Sequence, residues 1–122
     1  MTERNFSPRG IPELVHFLNA KKSELSDLQD ELQQAHEEAE DAEILWIQHF
    51  DTVMDGMEEE LRKAKPPGEE KCIGIARRQG GWERWVQYRK SERKVKRLER
   101  KAKLIADQIS AAQTEANVLK AV

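Results

Sequence analysis

One cysteine, Cys72, stands alone in 122 residues. No disulfide can close within the chain, which argues against a small secreted domain held by such bridges. Aromatic residues are scarce, at 6% against 36% charged. That balance suits long helices with a thin apolar seam better than a thick globular core. No apolar run approaches the roughly 20 residues needed to span a bilayer. The opening Met1-Thr2-Glu3-Arg4-Asn5-Phe6 lacks the apolar core of a secretory signal. A cytoplasmic protein with no membrane partner is expected, and Asn5-Phe6-Ser7 is then a glycosylation sequon by accident.

Catalytic and metal-binding spacings are missing too. His16, His36 and His49 are separated by more than one helical turn, and none lies near Cys72 in sequence. No zinc site and no nucleophile with a base beside it can be drawn from them. The glycines from Gly74 to Gly81 lack the Gly-Lys-Ser/Thr of a phosphate loop. A protein with no cofactor and no enzymatic activity is expected, with His49 as a core histidine holding a local hydrogen bond.

Proline is absent from 13 to 65, and within that stretch the apolar residues keep heptad spacing. Ile11, Leu14, Leu18, Leu25, Leu28, Leu32, Ala35, Ala39, Ala42, Trp46 and Val53 alternate in steps of three and four, with Lys21 and His49 filling two seam places. Pro12 suits the first turn of a helix, where its missing N–H costs nothing. The spacing predicts a helix over 12–64, roughly 80 Å long at about 1.5 Å per residue, after an irregular stretch over 1–11. Pro66-Pro67-Gly68 ends it. Residues 65–81 read as a turn and a segment of uncertain conformation, because Gly74, Gly80 and Gly81 weaken an otherwise helical pattern. A second heptad then predicts a helix over 82–120, with Tyr88, Ser91, Val95, Leu98, Ala102, Ile105, Ile109, Ala112, Ala116 and Leu119 on its seam.

Two long helices joined by one break should fold back on each other. The expected fold is all-α, a single domain over 1–122 built as a long antiparallel two-helix coiled-coil hairpin. Leu25 and Leu28 should meet Ile109 and Ile105, Ala39 and Ala42 should lie by Ser91 and Val95, and Trp46 should meet Tyr88. The charges favour the same pairing. From Ser23 to Glu60 there are 14 acidic residues and no lysine or arginine, whereas Lys71 to Lys103 holds 13 basic residues and 3 acidic ones. An acidic helix attracts a basic one, and two copies of either alone would repel.

Two features exceed what a hairpin needs. Residues 44–57 are apolar on most sides, with Ile44, Leu45, Ile47 and Phe50 off the seam, and Ile73, Ile75, Trp82, Trp85 and Val86 add to them from the facing part of the chain. Either the tip has a thicker local core, or the excess is an interface between copies of the chain. Ile44, Trp46, Ile47, Phe50 and Met54 are the candidate oligomer contacts. The second feature is cationic. Arg77, Arg78, Arg84, Arg89, Lys90, Arg93, Lys94, Arg97 and Lys101 crowd around Trp82 and Trp85. Cations that track phosphates beside rings that stack on bases make a single-strand site. The plainer reading is that the cations only complement the acidic helix and the rings only pack the tip.

The second helix resembles the C-terminal part of small helical phage-encoded accessory proteins of homologous recombination, some of them similar to recombination mediators. The residues carrying the resemblance run from Trp82 through Glu92, Val95-Lys96-Arg97-Leu98, Ile105, Ile109 and Gln113-Thr114-Glu115-Ala116-Asn117 to Leu119-Lys120, with Ala42-Glu43 and Trp46 on the first helix. The resemblance covers about two thirds of the chain. It implies an oligomeric protein of the host cytoplasm that binds single-stranded DNA and a recombination or replication protein. Two alternatives stand beside it. One is a structural or adaptor coiled coil without nucleic acid. The other is an inhibitor whose acidic helix mimics DNA.

Overall fold

The computed structural model describes residues 10–63 and 65–121. Most of the expected irregular start, and residue 64 where the first helix was expected to end, lie outside them. The order is α1 (Ile11–Gly56), α2 (Glu58–Leu61), α3 (Glu69–Ala76), a wide turn (Arg77–Gly81) and α4 (Trp82–Ala121). The fold is an all-α helical hairpin in which α1 packs against α4. It divides into two compact units, one of residues 1–32 with 97–122 and one of residues 33–96, so each contains a segment of both long helices.

α1 begins at Ile11, and Pro12 presets its first turn. The Leu14 N–H donates to the Gly10 carbonyl at 3.0 Å, and Glu13 places a negative charge at the positive end of the helix dipole. The unit of residues 1–32 and 97–122 buries the aliphatic seam: Leu14 and Leu28 from α1, and Leu98, Ile105, Ile109 and Ala112 from α4. Ile11, at the first position of α1, does not join it and is 44% exposed. Lys21, in a seam place, lies half-buried with its ammonium 5.6 Å from the Phe17 ring.

In the unit of residues 33–96 the seam thins to small residues and then thickens. Ala35, Ala42, Ser91 and Val95 are buried, so the two helices can approach closely there. Glu38 accepts a bond from Lys94 at 3.3 Å, and further along α1 the Trp46 ring lies 4.9 Å from the Trp85 ring, edge to face. As α1 advances α4 recedes, which is the antiparallel pairing. Trp46, Val53 and Ala76 form the core of the tip, with Phe50, Met54, Met57, Ile73, Ile75, Trp85 and Tyr88 packed against them. Tyr88 is in this cluster, as the sequence suggested, although the ring that meets Trp46 at shortest range is Trp85.

The first helix was expected to run to 64 but ends at Gly56. Glycine costs a helix interior about 1 kcal/mol relative to alanine, and Met57 leaves helical geometry (φ −106°, ψ 21°) to pack into the tip cluster. The segment left open by the sequence is a helix followed by a turn. Gly68 enters α3 extended, Glu69 and Glu70 occupy its first turn, and the buried Cys72 thiol faces the Pro67 carbonyl at 3.7 Å. The turn then depends on two glycines. Gly80 adopts φ 82°, a left-handed conformation that a side chain disfavours. Gly81 leaves room for His49, whose Nε2 donates to the Ala76 carbonyl at 3.0 Å. A Cβ at 81 would stand 2.5 Å from both the Ala76 oxygen and the His49 ring.

Candidate nucleic-acid interface

The turn delivers the chain into α4 with Trp82 as its first residue. From there the helical period sorts the side chains. Trp85 lies three residues before the seam residue Tyr88, so it falls inward onto Trp46. Trp82, a further three residues back, lies beside Trp85 but farther from the seam and is 60% exposed. Trp82, Val86, Arg89 and Arg93 follow one another at three- and four-residue steps, and with Trp85 and Lys90 they line an open groove of about 260 Å³.

Three guanidinium–ring contacts fix the back of this groove. Arg77 lies 5.4 Å from the Trp85 ring centroid and 6.0 Å from that of Trp82, while Arg89 lies 5.6 Å from Trp85. Cations near an indole face are attracted by its quadrupole. Trp85 thus holds two cations in place and is itself packed on the core, whereas most of the Trp82 surface is open to solvent. The Arg77 Nε is buried without a hydrogen-bond partner. Arg89 also donates to Glu92 at 3.0 Å, an exposed pair of the kind worth about 0–1 kcal/mol. Tyr88, behind the groove, has its phenol pKa pushed up, first by burial and then by the carboxylates of Glu92 and Glu43, with Arg89 opposing.

The structure therefore brings together Trp82, Trp85, Arg89, Lys90 and Arg93, with Arg77 at their back. It sends the other expected residues elsewhere. Arg84 lines a separate groove with Ala42, Leu45, Glu83 and Gln87. Lys94 is engaged by Glu38. Arg78 is exposed beside Gly74. Arg97 and Lys101 are exposed in the other unit. Val86 is the groove residue that charge and aromaticity did not single out; its place four residues after Trp82 was the available clue.

The five candidate oligomer contacts separate in the same way. Trp46 is buried and Phe50 and Met54 pack on its cluster, while Ile44 and Ile47 remain 52% and 44% exposed. All 14 acidic residues between Ser23 and Glu60 are exposed. Beyond Glu38–Lys94, the pairs Lys21–Glu24, Lys63–Glu60 and Arg62–Glu58 are each within one helical turn.

Among the described residues no His, Cys, Asp and Glu side chains gather into a group that could hold a metal ion, and no helix is long and apolar enough to cross a membrane. Comparison with known proteins finds no matching family, no matching curated protein and no matching solved structure.

Proposed function

We propose that the chain is a non-enzymatic accessory protein of the cytoplasm that binds single-stranded DNA in the groove at the start of α4. One observation carries this reading: an indole left open to solvent, Trp82, stands beside Arg89, Lys90 and Arg93 in one groove. Cations along a strand's phosphates with a ring under its bases are the chemistry of sequence-tolerant single-strand binding. A purely internal role for the cations would need carboxylates facing them; Arg89 meets Glu92 of its own helix in an exposed pair, and it is Lys94 rather than a groove residue that bonds to Glu38 of α1. The resemblance of α4 to phage accessory proteins of recombination supports the same ligand, and it supports a recombination or replication protein as a second partner.

Binding of a labelled single-stranded oligonucleotide, followed by fluorescence anisotropy over a range of salt, tests the proposal. Affinity should fall as salt rises, because each neutralised phosphate on a single strand contributes about −0.7 to the slope of log affinity against log salt. A protein that leaves the oligonucleotide free at low salt would refute it and leave the adaptor reading standing.

A further inference from the structure

α1 has an outward face in the unit of residues 33–96 that is as specific in composition as the groove on α4. Stepping by three and four residues away from the seam, it carries Glu37, Glu40, Ile44, Ile47, Asp51 and Asp55, all exposed. Four carboxylates thus flank two isoleucines. Within the same unit the groove on α4 offers the complement: an exposed indole and Val86 for apolar contact, with Arg89, Lys90 and Arg93 around them. The two surfaces belong to opposite sides of the two-helix layer, each turned away from the seam. One molecule therefore cannot bring its own acidic face onto its own groove.

We propose that the acidic face of α1 in one copy docks into the α4 groove of a second copy. Ile44 and Ile47 lie against Trp82 and Val86, and the flanking carboxylates meet Arg89, Lys90 and Arg93. Apolar residues at the centre with opposite charges at the rim are the ordinary anatomy of a specific interface. Complementary potentials would also steer the encounter and reject a like-charged pairing of two α1 faces or two grooves. The contact joins two different surfaces, so it is heterologous: each copy that docks leaves one face and one groove unused, and association continues into chains or closes as a ring. The bound face puts carboxylates where phosphates would sit, so a second copy and a nucleic acid strand exclude each other from the groove. The inference rests on the two faces and not on nucleic-acid binding; a groove that ignores oligonucleotides can still take the acidic face.

Sedimentation velocity of the whole chain, with no nucleic acid present, tests this. The wild type should gain mass with concentration at low salt and lose it as salt screens the rim. The double variant Glu40→Lys/Asp51→Lys and the double variant Arg89→Glu/Arg93→Glu should each lose association, since each places like charges on both surfaces. All four positions are exposed, and circular dichroism should show both variants as helical as the wild type. Mixing the two variants in equal amounts should restore association into at least a one-to-one complex, because the untouched groove of the first fits the untouched face of the second. A wild type that stays monomeric at every concentration, a variant that assembles alone as the wild type does, or folded variants that do not associate on mixing would each overturn the proposal.

Discussion

The two units are made from the same two helices, yet they are held together by different means. In the unit of residues 1–32 and 97–122 the buried side chains among the described residues are aliphatic, at heptad positions, and come from α1 and α4. In the unit of residues 33–96 the helices first close on small side chains and then open around Trp46, where α3 and the turn after it supply Ile73, Ile75 and Ala76. A periodic seam specifies the first arrangement almost by itself. The second depends on contacts between residues far apart in sequence and on two glycines, Gly80 in the left-handed conformation and Gly81 beside the His49 ring. The candidate site sits on the outer side of this second unit, so the more elaborate core is also what orients Trp82, Arg77 and Arg89.

Truncating the aromatic centre should have the largest effect. Trp46→Ala removes the ring that meets Trp85 and Phe50, and should cost about 3–5 kcal/mol in chemical denaturation. Ile109→Val, in the aliphatic seam, should cost only about 0.5–1.5 kcal/mol. Equal losses would mean that the tip is no more demanding than the simple seam.

The glycines give a sharper contrast of intermediate size. Gly81→Ala forces a methyl against the Ala76 carbonyl and the His49 ring and should destabilise by roughly 1–3 kcal/mol, the usual cost of overpacking. Gly74→Ala meets only the far end of Arg78, at 3.9 Å, and should gain about 0.5–1 kcal/mol from helix propensity. Thermal melts of the two variants should move in opposite directions.

The tryptophans of the site should separate stability from binding. Trp82→Ala should leave the melting temperature nearly unchanged and weaken oligonucleotide binding by about 1–3 kcal/mol, the value of one stacked base. Trp85→Ala should lower the melting temperature, because that ring packs on Trp46.

The smallest effect concerns pH. Tyr88 has its pKa raised in the folded state, so the folded protein holds the phenol proton more tightly than the unfolded chain does. The associated stability is fully present below the unfolded value of about 10 and is lost as pH rises through the folded value. Tyr88→Phe should remove that part of the alkaline destabilisation, which urea melts over this range would detect.

Much of this was legible in the sequence. Seam positions such as Leu28, Ala42, Trp46, Ile105 and Ala112 are buried as the heptads require, because the apolar period and the helical period coincide along both long helices. The groove was only half legible. Its cations and rings were named, but Trp82 and Trp85 looked equivalent until the seam was continued back from Tyr88. What stayed hidden was α3 and its turn: glycine-rich composition does not say where φ becomes positive, and the His49–Ala76 bond joins residues that no local pattern connects. The break at Gly56 was missed for a similar reason, since the pull on Met57 comes from the tip cluster.

The groove, rather than cationic charge spread over all of α4, is the central claim, and paired salt titrations test it most directly. Neutralising Arg89, Lys90 and Arg93 to glutamine removes three groove cations, while neutralising Arg97, Arg100 and Lys101 removes three exposed cations of the other unit. At about 0.7 per phosphate on a single strand, the first triple variant should flatten the slope of log affinity against log salt by roughly 2 and the second should leave it close to the wild-type slope. Equal flattening by both, or flattening by the second alone, would contradict the account.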